Sequence, residues 1–401
     1  MIAQPINFAD DFSSIMRYAT RIRHQLHQIP EIGFNEKDTS GFIVRELRKL
    51  GIPFRTGLAG GTGITALIKG RSENCVALRA EMDALPVVET TDVRWKSHRQ
   101  NMMHACGHDG HMSIVLGAAA VLQSMRFKLP GTIKLIFQPA EEGLNGAYEM
   151  LKNGVLDRPK VKAIFGLHGW PEMSVGTVGF KPGIFLAAVD SLKIRVRGKG
   201  THGAYPGRGV DPVICGSALV QALSETIANR SSKSQEIVLT LGTFHAGSAP
   251  NIVPDFADLS GTLRTLMPVT RKKAMALIRK TCKDVGSIYR CAIDCKFISG
   301  TPATVNTPAV AHFFQQTATS ELGLNRVKCL DQPFLWSEDF AWYLQKTPGC
   351  FFVLGTCPTG RKSYPMLHNS NYDFPDSAIS FGIRTLTRLA IDALTKRPWE
   401  D

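Results

Sequence analysis

Residues 102–112, MMHACGHDGHM, constrain the fold of this chain more than any other segment. They hold Cys106, His108, Asp109 and His111 directly ahead of the small-residue run SIVLGAAAVL. Thiolate, imidazole and carboxylate groups are the side chains that bind zinc and similar divalent ions. Because so many of them in one short stretch are hard to explain as core packing, we predict that this segment forms part of a metal site.

Further metal-binding side chains lie much later in the chain. Glu141 and Glu142 stand in QPAEE, and His168 and His368 stand in GLHGWP and MLHNSNYDFPD. Neighbouring residues of an extended chain point to opposite sides, so one glutamate can bind metal while the other accepts a proton from water. The pattern predicts a binuclear metal site with its own general base, and it leaves open which glutamate has which role.

Length and composition predict an ordinary two-domain globular protein. The 401 residues are too many for one typical core, and the hydrophobic content is 44%. The N-terminal stretch lacks an apolar run of signal-peptide length, and the longest apolar run, near 114–122, is too short to span a bilayer. The nine cysteines include no CxxC and show no disulfide framework. These features predict a cytoplasmic protein without a membrane partner.

The net charge of +13 is unevenly distributed, since residues 190–300 hold 16 Lys+Arg against 8 Asp+Glu. These basic residues are scattered and lack interleaved aromatic residues, so no nucleic-acid partner is predicted. The excess positive charge is either an ordinary solvated face or a means of attracting a small anionic substrate.

Helical and strand patterns alternate in the first part of the chain. Apolar residues recur at helical spacing over 8–29, and a second helix at about 36–50 is expected to end at Gly51. A further helix is expected near 110–125, and strands at 64–70, 75–82, 132–138 and 163–168. This mixture predicts an α/β fold in which a mixed sheet is covered by helices on both faces.

The pattern changes from about residue 189. A half-exposed strand through Leu192, Ile194 and Val196 is followed by segments in the order β-α-β-β-α-β. The expected helices are 211–229 and 268–288, and the later strands 237–247, 256–266 and 291–299. This order predicts a ferredoxin-like domain inserted over 189–300. Residues 1–188 and 301–401 would then form one metal-binding domain, because His368 lies in the last segment.

Four further polar residues stand at strand ends, in loops or on strands. Asp83 follows a strand, where it either supports a metal ligand or the base, or begins a turn. His202 and Asn251, in loops of the inserted domain, either donate hydrogen bonds to a developing oxyanion or are ordinary loop residues. Arg264 either binds a substrate carboxylate or is a surface cation.

Several motifs together resemble the amidohydrolase branch of the aminoacylase/carboxypeptidase metallopeptidases. From about residue 20 to 395 they are ALRAEMDALP, MHACGHDGHMSIVLGAA, FQPAEEG, GLHGWP, GTHGAYPGRGVDP, GSAPNIVPD and LHNSNYDFPD. This branch includes hippurate hydrolase, N-acyl-L-amino-acid amidohydrolases, the plant indole-acetyl-amino-acid hydrolases and N-acetyl-diaminopimelate deacetylase. The resemblance implies a catalytic domain interrupted by a lid domain, and either a homodimer formed through the lid or a monomer.

The resemblance also implies roles for individual residues. The metal ligands would be Cys106, His108, Glu142, His168 and His368. Glu141 would be the general base, and Asp83 would support the ligands. In the lid, His202 and Asn251 would bind substrate, and Arg264 would contact its carboxylate.

The cofactors implied are two divalent metal ions per subunit, with zinc or manganese expected first and cobalt or nickel as alternatives. Three positions depart from the family pattern. Glu81 stands where Asp is usual, Gly207 stands where a His is common, and Gly143-Leu144-Asn145-Gly146 is less glycine-rich than in many relatives. The change at Gly207 concerns lid contacts and substrate preference, and it leaves the metal ligands intact.

We therefore predict a metal-dependent amidohydrolase that cleaves N-acyl-L-amino acids, such as hippurate, to a carboxylic acid and a free amino acid. One alternative is a dipeptidase or aminopeptidase on the same binuclear site, and another is a metal-binding module that has lost catalysis. Recognition of a free α-amine would need one more carboxylate near the metals, and Glu141 argues against lost catalysis. The preferred acyl group and amino acid are not determined by the sequence.

Overall fold

The computed structural model describes residues 12–231 and 236–400. The start of the predicted 8–29 helix, including Phe8, lies outside the described residues. The chain divides into two compact units. The first unit comprises Met1–Phe185, Val305–Gln332 and Asp339–Asp401, and the second comprises Leu186–Thr304 and Pro333–Glu338.

The helices and strands alternate along most of the chain. The helices are α1 (Phe12–His27), α2 (Lys37–Lys49), α3 (His108–Ser124), α4 (Gly146–Lys152), α5 (Pro212–Ser231), α6 (Pro268–Tyr289), α7 (Pro308–Leu322), α8 (Ala341–Leu344) and α9 (Asp376–Lys396). The strands are β1 (Phe54–Leu58), β2 (Gly63–Ile68), β3 (Cys75–Glu81), β4 (Thr132–Gln138), β5 (Val161–Ser174), β6 (Val178–Phe180), β7 (Gly183–Leu186), β8 (Ala188–Arg197), β9 (Thr201–His202), β10 (Ile237–Ala246), β11 (Ile252–Val253), β12 (Phe256–Thr265), β13 (Ala292–Ser299), β14 (Thr304–Asn306), β15 (Val327–Cys329) and β16 (Gly349–Cys357).

The first unit is built on a mixed sheet with the strand order β1-β2-β4-β3-β5-β16-β6-β15. Strands β4, β3, β5 and β16 run parallel, whereas β2 is antiparallel to β4. Every residue of β3, β4 and β16 is buried, so both faces of the central sheet are covered. The predicted α/β class, with helices over a mixed sheet, is confirmed.

Helix α3 lies between α1 and α9 in the core of the first unit. Its small residues explain this position, because a Cβ atom added at Gly117 would lie 2.4 Å from Ile383 of α9. On α1, the apolar stripe includes Ile15, Ile22 and Leu26, all buried. Each such side chain stabilises the fold by about 1.5–3 kcal/mol when it leaves water. The sequence SIVLGAAAVL is therefore adapted to close packing between two helices.

The second unit is a four-stranded antiparallel sheet with the order β10-β12-β8-β13. Along β8, Leu192, Ile194 and Val196 are buried in a core shared with α5 and α6, while the residues between them are exposed. Strand order and connections are those of the predicted ferredoxin-like arrangement. Within the described ranges, no helix is both long enough and apolar enough to cross a membrane.

Candidate metal centre

The carboxyl ends of three parallel strands bring predicted ligands together. Register pairs Glu81 at the end of β3 with Gln138 at the end of β4. Asp83 follows β3, Glu141 and Glu142 follow β4, and His168 lies in the neighbouring β5. Because ligand sites in open α/β sheets form beyond the carboxyl ends of the strands, these side chains occupy the expected edge.

The amino-terminal end of α3 supplies Cys106 and His108 from either side of one glycine. Gly107 has φ = 82°, in the left-handed region that favours glycine. A Cβ atom at this position would also lie 2.9 Å from the Phe374 ring. Glycine is therefore required between the thiol and the imidazole.

Two other segments that carry predicted ligands contain a non-glycine residue in the left-handed backbone conformation. Ala140, just before the two glutamates, has φ = 57°, and His368 has φ = 67°. Each non-glycine residue in this region costs about 1–2 kcal/mol, so packing around the centre must hold both turns in place. The backbone N–H of His368 donates to the Ala105 carbonyl at 2.8 Å, which ties the late segment to the Cys106 loop.

The structure brings the five predicted ligands and Glu141 into one cluster. Sγ of Cys106 lies 3.3 Å from Nε2 of His168, and Nε2 of His368 lies 3.3 Å from Oε1 of Glu142. Three overlapping groups each have donor atoms within 4.8 Å of one another: Cys106/His108/His168, Cys106/Glu142/His368 and His108/Glu141/Glu142. The first two groups contain all five predicted ligands and share Cys106, so they suit two neighbouring cations, and the third group shows Glu141 beside two of these ligands.

The ring nitrogens of the two buried histidines are oriented by carbonyl oxygens. Nδ1 of His168 donates to the Gly169 carbonyl, and Nδ1 of His108 donates to the Asp83 carbonyl, both at 2.8 Å. In the neutral imidazole, which is the form that binds metal, these contacts leave each Nε2 as the acceptor. Nε2 of His108 is buried and has no hydrogen-bond partner among the described residues. Since a buried polar atom without a partner costs about 1–3 kcal/mol, this nitrogen fits a metal ion.

The electrostatics of the cluster also fit a cation. Burial, reinforced by Glu142 and Glu141, raises the pKa of the Cys106 thiol well above its usual value. Burial alone would raise the pKa of Glu142, but the hydrogen bond to His368 and the charge of His108 lower it. Negative donors are therefore crowded together, and a divalent ion would favour the thiolate form that binds metal.

Asp83 supports two of the proposed ligands at once. Its Oδ2 accepts a hydrogen bond from the backbone N–H of Glu142 at 2.9 Å, and its Oδ1 lies 3.4 Å from Nδ1 of His108. Burial would lower the pKa of His108, but the hydrogen bond to Asp83 and the charge of Glu81 raise it to about 10. Asp83 thus connects the end of β3 to the His108 imidazole and to the backbone of Glu142.

Asp109 and His111, which belong to the sequence cluster that suggested a metal site, make other contacts. Oδ2 of Asp109 accepts hydrogen bonds from Arg23 and His27, each at 2.8 Å. Nδ1 of His111 lies 3.0 Å from Glu81, and its Nε2 accepts from the backbone N–H of Gly169 at 2.9 Å. The contacts of Asp109 tie α3 to α1, whereas His111, together with Glu81 and His108, forms a further buried group of donor atoms within 4.8 Å of one another.

Sequence reasoning missed a buried polar network that lies beside Glu141. Arg79 donates to Gln138 at 2.8 Å and to Asp339 at 2.9 Å, and it also pairs with Glu81. The backbone N–H of Asp339 lies 3.4 Å from Oε1 of Glu141. An arginine inside the apolar strand CVALRAE was the available signal, because a buried cation requires partners.

The predicted substrate residues lie in the second unit. His202 is in β9, which pairs with β11, and its Nδ1 accepts from the Ala204 N–H at 3.0 Å. The Asn251 carbonyl accepts a hydrogen bond from the Gly203 N–H at 2.7 Å. His202 and Asn251 therefore lie close together, on the exposed segments around β9 and β11. Arg264 is half-buried on β12, and it donates to the Leu335 carbonyl at 3.0 Å.

A mixed α/β sheet that gathers thiol, imidazole and carboxylate donors at its carboxyl edge is suited to metal-assisted hydrolysis. The sequence profile described as peptidase family M20/M25/M40 matches residues 77–392. The protein is thus a hydrolytic enzyme that acts on amides, and it belongs to peptidase family M20/M25/M40. The resemblance predicted from the motifs is confirmed.

Named relatives span nearly the whole chain. The protein is 35% identical over 386 residues to thermostable carboxypeptidase 2 of Saccharolobus solfataricus, covering 95% of this chain and 97% of that protein. It is 34% identical over 375 residues to hippurate hydrolase of Campylobacter jejuni, covering 93% and 96%. The crystal structure of a Bacillus subtilis dinuclear metal binding peptidase of the M20 family matches with a TM-score of 0.82 and 30% identity, over 96% of this chain and 99% of that one.

Proposed function

We propose that the protein hydrolyses N-acyl-L-amino acids of the hippurate type, releasing a carboxylic acid and a free amino acid. The observation that carries this proposal is the position of Glu141, whose carboxylate lies within 4.8 Å of donor atoms of His108 and Glu142. In this proposal Glu141 is the base, and its nearness to the proposed ligands supports that role. The similarity to a hippurate hydrolase supports an acylated amino acid as substrate.

The proposed ligands are Cys106, His108, Glu142, His168 and His368. Two divalent ions would be held by these residues, with zinc or manganese as first candidates and cobalt or nickel as alternatives. When bound, such ions polarise the amide carbonyl and lower the pKa of water. The thiol and imidazole donors favour zinc over magnesium or calcium.

The protein's own residues would move the protons. The Glu141 carboxylate accepts a proton from the attacking water and returns it to the leaving amine nitrogen. Asp83 keeps His108 and Glu142 oriented through the contacts described above. This division of work requires Glu141 to remain outside the ligand set.

The second unit would act as a lid and as the substrate-recognition domain. In this proposal, His202 donates a hydrogen bond to the carbonyl oxygen as negative charge develops, and Asn251 and Arg264 bind the amino-acid portion. Its excess positive charge would attract an anionic substrate. The outer strands β10 and β13 leave sheet edges through which two copies could form a homodimer.

A second candidate substrate class is a peptide, because the protein is equally similar to a thermostable carboxypeptidase. Cleavage of a carboxy-terminal residue would use the same metals and the same base. The two candidates differ in what occupies the acyl side of the scissile amide: a simple acyl group or a peptide.

The test is to measure metal content per chain together with hydrolysis of a substrate panel. The panel contains benzoyl- and acetyl-amino acids, N-blocked dipeptides and dipeptides with a free α-amine. We expect two metal ions per chain and the highest kcat/KM on the simple acyl-amino acids. Faster cleavage of peptides would favour the peptidase alternative, and full metal content without any hydrolysis would indicate a metal-binding module.

A further inference from the structure

The second unit contains an unusual concentration of cysteine. Cys215 lies on α5, Cys282 on α6, Cys291 between α6 and β13, and Cys295 on β13. All four thiols are free, and three of them are buried. Isolated buried cysteines behave as small hydrophobic residues. Four in one small core, far in sequence from the proposed metal ligands, require a different explanation.

Two of these thiols, Cys282 on α6 and Cys295 on β13, lie on contacting elements of one core and line the same cavity. Cys215 and Cys291 belong to the same core. Among the described residues, the groups of three or more close donors that suit a metal ion include none of these cysteines. The arrangement therefore favours paired thiol chemistry over a tetrahedral metal site.

A cavity of about 560 Å³ opens beside three of these cysteines. Cys282, Cys291 and Cys295 line it together with three cationic side chains, those of Arg279, Lys283 and Arg290. Positive charge next to a thiol stabilises its thiolate, which is the reactive form. The cavity thus offers a small oxidant both a route to sulfur and a basic environment.

These cysteines differ in their surroundings. The neighbouring Cys282 thiol lowers the pKa of Cys295, and the charge of Arg279 adds to this effect although burial opposes it. Burial, with the contact to Cys291, raises the pKa of Cys215 to about 12, and burial also raises the pKa of Cys291. Among the three cysteines that line the cavity, only Cys295 is partly exposed, so a small oxidant reaches its sulfur first, and Cys282 lines the same cavity.

We propose that Cys282 and Cys295 form a reversible dithiol–disulfide site that small hydroperoxides oxidise from the basic cavity. The Cys295 thiolate attacks one peroxide oxygen, the O–O bond breaks, and the other oxygen leaves as hydroxide. Cys282 gives its proton to that hydroxide, and its sulfur then displaces the oxygen from Cys295 as a second hydroxide. This hydroxide takes up the proton that Cys295 released on ionisation and becomes water. Two thiols and one hydrogen peroxide become one disulfide and two waters, with two electrons passing from sulfur to oxygen.

The test uses the full-length, metal-loaded protein with hydrogen peroxide as the probe. After brief oxidation, free thiols are blocked and the unreduced protein is digested with trypsin. The proposed bond joins the peptide 281–283 to the peptide 291–296, whereas a Cys215–Cys291 bond would join 209–230 to 291–296. We expect the first product to predominate severalfold and to disappear on treatment with dithiothreitol.

Matched variants identify the reacting sulfur. Cys295→Ser, at a partly exposed position, should abolish the 281–283 cross-link, and Cys291→Ser should retain it. Cys329, exposed in the first unit, is the internal control for nonspecific oxidation. Oxidation of Cys329 without the 281–283 cross-link, or equal yields of the two cross-links, would overturn the proposal.

Alkylation provides a second measurement that does not depend on any variant. Iodoacetate is anionic and iodoacetamide is neutral, so the ratio of the iodoacetate rate to the iodoacetamide rate reports the charge around a thiol. This ratio should be higher at Cys295 than at Cys329, because three cations line the cavity beside Cys295. An equal or lower ratio would contradict the basic cavity as the route of access.

Discussion

Glu141 and Glu142 are adjacent in sequence but have different surroundings. Glu142 has its backbone held by Asp83 and its carboxylate beside His368, whereas Oε1 of Glu141 lies 3.4 Å from the backbone N–H of Asp339. The left-handed turn at Ala140 sets the direction in which both leave β4. A ligand and a base can thus be supplied by consecutive residues.

The proposed role of Glu141 leads to the first prediction. Glu141→Gln keeps the size and polarity of the side chain but removes the proton acceptor, so kcat should fall about a thousandfold. Metal content should be unchanged, because the five proposed ligands remain. Steady-state kinetics and elemental analysis of the same preparation measure both quantities.

The control for Glu141→Gln is Glu149→Gln. Glu149 is a nearby glutamate on α4 that pairs with Lys152 at the surface. This variant should retain normal turnover. If Glu141→Gln also retained normal turnover with full metal content, Glu141 would not be the base.

A second residue-scale prediction concerns Arg23, which is fully buried on α1. It donates to Asp109 at 2.8 Å and also pairs with Asp373. Arg23→Met would leave these acidic groups without their cation, at a cost of about 3–5 kcal/mol in unfolding free energy. Urea denaturation measures the loss, with the exposed Arg21→Met as the control. Similar midpoints for the two variants would show that the buried pairs contribute little.

The proposed metal ligands stand out in the sequence, and the buried contacts of Arg23 do not. Cysteine, histidine and paired glutamates carry chemistry that is visible without coordinates, particularly when they match known motifs. Arg23 occupies an amphipathic helix, where an arginine normally faces solvent, and its partner Asp373 is 350 positions away. Pairings over such separations depend on tertiary packing, which linear patterns do not specify.

At the scale of elements, the start of α3 depends on Gly107. Gly107→Ala would impose an unfavourable left-handed conformation and a clash with Phe374, whereas Gly57→Ala at φ = 77° meets no atom within 4 Å. Both substitutions carry the backbone cost of about 1–2 kcal/mol, and only Gly107→Ala adds the clash. Thermal denaturation and metal titration should therefore show a larger loss for Gly107→Ala. Equal losses would mean that the packing around Gly107 accommodates a methyl group.

Glu36 connects the start of α2 to two other segments. Its Oε1 accepts from the Ala140 N–H at 2.9 Å, and its Oε2 contacts the Thr62 hydroxyl at 2.8 Å. Burial raises the pKa of Glu36 from 4.5 to about 7. Between these two values the folded protein binds more protons than the unfolded chain, so this group's contribution to stability falls as pH rises.

Glu36→Gln imitates the protonated carboxyl group and removes this pH dependence. The variant should match the wild type below about pH 4 and exceed it by up to about 3 kcal/mol near pH 8. Thermal midpoints measured across this range, with the exposed Glu73→Gln as control, would check the expectation. Parallel curves for the wild type and Glu36→Gln would contradict it.

Long apolar segments were predicted more accurately than short ones. Strand β4 was predicted over its observed range, Thr132–Gln138, because every residue is buried and turn residues bound the run. Strands β6 and β15, of three residues each, were missed. They exist because they extend a sheet whose other strands come from distant segments, and three residues show no recognisable period.

At the scale of the whole molecule, metal binding should stabilise the first unit. Ions that bind only the folded state add about 2.7 kcal/mol at a concentration of one hundred times Kd. A chelator should lower the thermal midpoint, and zinc or manganese should restore it together with activity. His108→Ala should lose this metal-dependent shift, whereas His312→Ala at the exposed surface of α7 should keep it. A midpoint insensitive to chelation in the wild type would argue against the centre.

The first unit is completed only by the last part of the chain. Helix α9 (Asp376–Lys396) packs against α1 and α3, and His368 belongs to the same late segment. During synthesis, α1 and α3 leave the ribosome long before their covering helix exists. The second unit is nearly continuous in sequence and can fold on the nascent chain. The apolar faces of α1 and α3 remain uncovered until α9 has been synthesised. Chaperones would have to cover these exposed faces during synthesis. A polypeptide truncated before α9 would keep them exposed and would be degraded by proteases.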